Sequence, residues 1–233
     1  MTDVDPSANL GFAPLFRDRQ DAGEQLAAEL ARYRGQNLVV LAIPRGGIPV
    51  GAVVATALDA DLDVIVARKL GAPMQPELAI GAVTAEGQRY LNEAIVRELG
   101  IPDAYLAAIT QRESREARRR EEVFRGALRP SPVEGRTAIV VDDGLATGAT
   151  MRAALRSVRA RRPTRLIMAV PVGPPATCRD LSREADEIVC LFQPDPFWAV
   201  GLHYEHFGQA SDAEIQQILR DARRSREGNG GAT

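Results

Sequence analysis

Cysteine is nearly absent from this chain: Cys178 and Cys190 are the two among 233 residues. Such scarcity excludes a disulfide framework and a cysteine-built metal cluster. The pair reads as small buried side chains in a reducing compartment. Histidine is as scarce. His203 and His206 stand close together with Glu205 between them, but the segment offers no further ligand at metal-binding spacing, which argues against zinc. An excess of one charge is also missing, with 29 basic residues against 31 acidic and a net charge of −2. That balance gives no footing for nucleic acid or for an anionic membrane. No apolar run approaches the length that crosses a bilayer. The opening Met1-Thr2-Asp3-Val4-Asp5-Pro6 lacks the basic-then-apolar order of a signal peptide. A soluble cytoplasmic protein, without membrane or nucleic-acid partners, is the expectation.

What the chain does have is apolar material and strand–helix alternation. Hydrophobic residues make up 45%, enough for one sizeable core, and the length fits one α/β domain. Strands are expected at Leu38–Ile43, Asp63–Ala67, 137–141, Arg165–Val170 and Glu187–Leu191, as short continuous apolar runs suited to burial on both faces. Helices intervene: one with Ala22, Leu26, Leu30 and Tyr33 on an apolar face and Gly35 at its end, one to about Leu58, one from Pro102 to about Arg125, and one over 150–161. Leu78–Thr84 and Gln88–Leu91 flank Ala85-Glu86-Gly87 as a hairpin. The alternation predicts a doubly wound, mostly parallel sheet with helices on both faces. The helix from Pro102 is rich in both Arg and Glu and reads as solvated, with Glu116 and Arg120 as a supporting pair four residues apart. A domain over residues 12–222 is expected, with flexible tails at 1–11 and 225–233.

The stretch that organises the rest is Ala138-Ile139-Val140-Val141-Asp142-Asp143-Gly144-Leu145-Ala146-Thr147-Gly148-Ala149-Thr150-Met151. A buried strand ends in two adjacent carboxylates, and a turn of Gly, Ala and Thr runs straight into a helix. Parallel sheets bind ligands at the carboxyl ends of their strands. A helix start offers free N–H donors and a positive dipole end, which suits a phosphate. The carboxylates would repel that phosphate, but they suit a neutral polyol or a metal ion beside it. A sugar phosphate satisfies both demands. A second strand–turn–helix passage, Pro44-Arg45-Gly46-Gly47-Ile48-Pro49-Val50-Gly51, presents backbone N–H groups and a guanidinium, which binds phosphate oxygens bidentately. Arg68-Lys69, placed at the end of the third strand, adds two cations.

The Asp-Asp stretch resembles the ribose-phosphate signature of the type I phosphoribosyltransferases. Pro-Arg-Gly-Gly, Arg-Lys-Leu-Gly-Ala-Pro and Pro-Glu-Leu-Ala-Ile-Gly-Ala-Val extend the likeness to a bacterial group of that family whose acceptor the motifs do not name. The resemblance implies the family's fold, with a small hood over the base and a mobile lid, here Leu70 to Glu77. It implies transfer of a 5-phosphoribosyl group from 5-phosphoribosyl diphosphate to a nitrogenous base, with Mg²⁺ held mainly through the substrate near Asp142 and Asp143. By the same resemblance, Ala146, Thr147, Gly148, Ala149 and Thr150 hold the 5-phosphate, while Arg45, Gly46, Gly47, Arg68 and Lys69 hold pyrophosphate. Asp142, Asp143, Arg68 and Lys69 stabilise the reaction centre. Glu77 on the lid is a candidate acid/base, with a solvated loop Glu as the competing reading. The segment 194–207 holds Phe197, Trp198 and Tyr204, which the resemblance nominates for stacking on the base, although aromatics of this size also fill cores. Family members acting on 6-oxopurines carry Asp where this chain has Ala146, so the signature is more like the adenine and uracil members. Dimers are common in the family, which makes a homodimer possible by analogy. The competing function is a non-catalytic regulator that binds phosphoribosyl diphosphate.

Overall fold

The computed structural model describes residues 13–230, with side chains to residue 226. The element order is α1 (Arg19–Glu29), β1 (Leu38–Ala42), α2 (Gly47–Leu58), β2 (Asp61–Val64), β3 (Ala67–Gly71), β4 (Ala79–Thr84), β5 (Arg89–Leu91), α3 (Glu93–Glu98), α4 (Asp103–Arg125), β6 (Thr137–Val141), α5 (Ala149–Ala160), β7 (Arg165–Val172), α6 (Pro175–Leu181), β8 (Glu187–Phe192) and α7 (Asp212–Gly230). Five strands form a parallel sheet in the order β2-β1-β6-β7-β8, and β3-β4-β5 form a separate antiparallel sheet.

Successive side chains of a strand point to opposite faces, and here both faces are covered. Val39 and Leu41 of β1, with Ala138 and Val140 of β6, pack under α5 and α6 beside Met151, Leu155 and Leu181. Leu38, Val40, Ile139 and Val141 face the other way, onto Leu26, Leu30, Val50 and Val54 of α1 and α2. This two-sided burial is why these strands are continuous apolar runs. The doubly wound sheet expected from the sequence is the fold observed.

The third expected strand divides in two. β1 runs out at Ala42, which pairs with Val64, so β2 has no further partner for its ladder. The chain then turns, with the Val66 N–H donating to Glu121, and begins the antiparallel sheet. Arg68 and Lys69 therefore lie inside β3 rather than at the end of a parallel strand. The presumed lid is correspondingly shorter. Leu70 and Gly71 belong to β3, and the connection to β4 is closed by Ala72 N–H to the Leu78 carbonyl at 3.0 Å and Leu78 N–H to the Gln75 carbonyl at 2.9 Å.

The last helix also departs from expectation. α7 continues to Gly230, past residue 225, where composition places a polar tail. Within the extension, Arg226 reaches Asp59 at 2.8 Å and Asp61 at 3.4 Å. Residues 1–12 and 231–233 lie outside the described residues. Among the described residues no helix is long and apolar enough to cross a membrane.

Two contacts position the helices around the parallel sheet. Ile215 and Leu219 of α7 pack with Ile48, Val64, Ala117 and Phe124, joining α7 to α2, β2 and α4. At the end of α4, Arg125 donates to Asp63 at 2.7 Å, to Glu121 at 2.9 Å and to the Val64 carbonyl at 2.8 Å. Asp63 also accepts from the Ser131 N–H at 2.8 Å. All three charged side chains are almost wholly enclosed.

Candidate active site

In a doubly wound sheet, ligands bind where neighbouring strands send their connections to opposite sides. Here that point lies between β1 and β6. β1 leads to β2 on one flank, and β6 leads toward β7 and β8 on the other. Their carboxyl ends are level, with Ala42 beside Val141, and the Ile43 N–H donates to the Val141 carbonyl at 2.9 Å. Both candidate turns leave from this edge.

The turns touch. A methyl group on Gly46 would lie 1.8 Å from Asp143 Oδ2, and one on Gly47 would lie 2.8 Å from the Val141 carbonyl oxygen. The two glycines are what let the first turn settle against the carboxylate pair. Each turn opens a helix whose N-cap is a glycine without a side-chain cap, Gly46 for α2 and Gly148 for α5. In α5 the first-turn N–H groups therefore have no capping side chain, whereas in α2 Gly47 and Ile48 donate to the Ile43 and Arg45 carbonyls at 3.0 and 3.2 Å and Pro49 has no N–H. Gly148 sits at φ +73, and a Cβ there would also meet Thr177 Cγ2 at 2.7 Å. The Thr177 hydroxyl donates to the Ala146 carbonyl at 3.0 Å, which fixes the turn from α6. Ala146 and Thr147 are exposed, and Ala149 and Thr150 are half-buried.

The two carboxylates are held differently. Asp142 accepts the Asp143 N–H at 2.8 Å. Burial pushes its carboxyl well above the usual range, and the adjacent Asp143 charge adds to that. Asp143 pairs through Oδ2 with Arg19 Nε at 2.8 Å. Arg19 also donates to the Gly208 carbonyl at 2.6 Å and lies 4.0 Å from the Phe207 ring centroid, a cation–π distance. Arg19 is the residue that sequence reading missed, and nothing in the local sequence marks it.

The aromatic segment divides. Tyr204 is 4% exposed, its ring between Phe16 and Phe207 at 5.2 and 5.1 Å. Its hydroxyl donates to the Asp143 carbonyl at 2.6 Å. Tyr204 is thus a core residue that supports Asp143, and its ring faces are already taken. Phe197 stacks on His203 at 5.2 Å. Trp198 is exposed. The N-terminal strap is tied to the same segment, since the Phe16 N–H donates to the His203 carbonyl and the Glu205 N–H to that of Phe16. A cavity of about 590 Å³ opens beside the carboxylate pair, walled by Arg19, Arg45, Gly46, Asp143, Phe207 and Glu214 among others.

The other cations nominated from the sequence are all in ion pairs. Arg45 meets Asp212 of α7 at 3.0 Å. Arg68 meets Glu113 of α4 at 2.7 Å, and Lys69 meets Glu77 at 2.9 Å. Arg68 and Lys69 line a second cavity, with Pro73, Pro76 and Glu113, that does not include the carboxylate pair. Glu77 is fully solvated, and Lys69 draws its carboxyl below the usual range. That is the wrong direction for a base, whose ideal pKa lies near the working pH.

A family model described as phosphoribosyl transferase domain matches residues 17–206. The chain belongs to that family. The match covers both turns, Arg19 and the hood segment through His206. This phosphoribosyltransferase domain is 47% identical over 210 residues to Rv0571c of Mycobacterium tuberculosis H37Rv and, to the same degree, to MT0597 of strain CDC 1551. The alignment takes in 90% of this chain and 47% of each relative, so the chain spans about half the length of the curated relatives it matches. The crystal structure of TT1426 from Thermus thermophilus superposes with a TM-score of 0.76 at 40% identity, covering 88% of this domain and 98% of that chain.

Proposed function

We propose that this chain transfers the 5-phosphoribosyl group of 5-phosphoribosyl diphosphate to a ring nitrogen of a base, releasing pyrophosphate. The observation that carries this reading is the uncapped start of α5 beside two adjacent carboxylates, with the glycine turn before α2 packed against them, at the switch point of the sheet. Family membership agrees with it, as does the provisional phosphoribosyl transferase name of the mycobacterial relatives.

The start of α5, from Ala146 to Thr150, takes the 5-phosphate. Asp142 and Asp143 take the ribose hydroxyls and face the cationic anomeric carbon of the transition state, which resembles that of glycoside hydrolysis. Arg45 and the Gly46 N–H take the pyrophosphate, with Gly47 permitting the close approach of the turn, and for this Asp212 must release Arg45. Arg68 and Lys69 join them only if their pairs with Glu113 and Glu77 open. The base enters the cavity beside Asp143, and Ala146 stands at the turn position where 6-oxopurine enzymes carry an Asp.

Magnesium fits this donor set. Mg²⁺ keeps few protein ligands and completes its shell from substrate oxygens and water. Asp142 and Asp143 would hold it together with the donor. When bound, it neutralises charge on the departing pyrophosphate.

The test is pyrophosphate release from 5-phosphoribosyl diphosphate and Mg²⁺ across a panel of bases. Release that depends on one base establishes the transferase and names its acceptor. Donor binding without turnover by any base moves the reading to a regulator. Gly46→Ala provides an internal check. Its methyl would have to displace the Asp143 carboxylate, so kcat is expected to fall about 10²-fold, the scale of an ångström's misplacement. Unchanged turnover in that variant removes Asp143 from the reaction centre.

A further inference from the structure

A third cavity lies away from both carboxylate and lid residues, between α4 and the β4–β5 hairpin. Its volume is about 590 Å³, within the range of about 300–1,000 Å³ common for small-molecule sites. Its lining shares no residue with the cavity beside Asp143. Three arginines face it, Arg89 from β5 with Arg115 and Arg118 from α4, and no carboxylate does.

Many arginines of this chain are matched to acids, but these three converge on one groove without one. The neighbouring carboxylates are turned elsewhere. Glu113 is held by Arg68 and Arg112, Glu116 by Arg119 and Arg120, Glu121 by Arg125, and Glu86 by Arg161 and Ser157. Among the described residues, Arg89, Arg115 and Arg118 have no acidic partner within ion-pair distance.

Two of the three guanidiniums are pre-positioned. Arg118 donates to the Ala85 carbonyl at 3.1 Å, which Ser114 also binds at 3.2 Å. Arg89 leans on the Thr110 hydroxyl at 3.4 Å. A guanidinium carries five N–H donors, so each anchor leaves others for a ligand. Arg115 and Arg118, three apart on the helix, are neighbours on one face. Between them and the hairpin, Ala107 and Ala108 supply a floor of small side chains.

We propose that this groove is a second anion site, which takes a small phosphate-bearing molecule on its three arginines. Planar, forked donors match phosphate oxygens bidentately. The small floor leaves room for an organic group attached to the phosphate. The inference does not depend on the transferase reading.

The test is calorimetric titration of the full chain with two probes, inorganic phosphate and ADP. Saturable binding is expected, weakened about tenfold or more by Arg115→Ala, which removes a charge-assisted contact without touching any internal partner. Arg118→Lys, which keeps the charge but not the fork, is expected to weaken it as well. Arg220→Ala, an exposed arginine of α7 outside both cavities, leaves this binding unchanged. Binding of both probes that is lost in Arg115→Ala shows that the groove reads phosphate alone, and such binding of ADP only shows that it also reads the attached group. The proposal is overturned if neither probe binds, or if Arg115→Ala binds as the wild type does. It is also overturned if an RNA oligonucleotide displaces ADP with steep salt dependence, the mark of a nucleic-acid surface.

Discussion

Asp143→Asn is expected to lower kcat for pyrophosphate release by about 10²–10³-fold, with a much smaller change in KM for the donor. Asn keeps the shape of the side chain and can still accept from Arg19 Nε, so the local packing survives. On the proposed reading, what it removes is the negative charge that faces the anomeric carbon as that carbon becomes cationic. An interaction made mainly in the transition state appears in kcat rather than in binding. One preorganised electrostatic partner in an enclosed site is typically worth about 3–4 kcal/mol of barrier. The variant also leaves Arg19, fixed by Phe207 and the Gly208 carbonyl, without a counter-charge beside the reaction centre, which opposes the same developing cation. Steady-state kinetics with a saturating base would decide it. A loss of less than about threefold would show that Asp143 is a structural acceptor for Arg19 and nothing more.

Arg125→Ala is expected to cost about 3–5 kcal/mol of folding stability, because it strands two buried carboxylates. Asp63 is 4% exposed and Glu121 is 5% exposed, and Arg125 is their shared counter-ion. The pH dependence has a definite sign. Burial already raises the Glu121 carboxyl above its usual value, against the pull of Arg125. Without Arg125 it rises further. A group whose folded pKa lies above its unfolded one binds its proton more tightly in the folded state, so the folded state gains as pH falls. The deficit of Arg125→Ala should therefore be larger at pH 8 than at pH 5. Urea unfolding at both pH values measures it. An equal deficit at both would mean that Glu121 does not titrate with the lost charge, and a deficit below about 1 kcal/mol would mean that water has replaced the arginine.

The contrast between these residues shows what the sequence could convey. β1 and β6 were legible because burial on both faces writes an unbroken apolar run, and the carboxylate turn was legible because its parts are consecutive. Arg19 was not, since its partner Asp143 is 124 positions away. Asp212, which meets Arg45, and Glu113, which meets Arg68, were hidden for the same reason. The run 63–67 looked like one strand because hydrophobicity does not record where a neighbouring strand ends. α4 looked solvated throughout because burial of Glu113 depends on Arg68, and that of Glu121 on the Val66 N–H, which reach them only in the fold. Tyr204 carried the chemistry of a stacking residue in sequence and the position of a core residue in space.

The cavity beside Asp143 has an unusual authorship. Its floor, at Gly46 and Asp143, comes from the interior of the chain, while its walls come from residues 18–20 near one terminus and 206–214 toward the other. The strap at Phe16 and the segment at Tyr204 are hydrogen-bonded to each other. The two segments therefore form one collar, tied to the frame of strands and turns through Arg19 and Tyr204 at Asp143. Variation confined to that collar can redraw the mouth of the pocket while the two glycine turns stay as they are. An engineer wishing to graft a different pocket would exchange both ends together, as a matched set, and leave residues 38–192 alone.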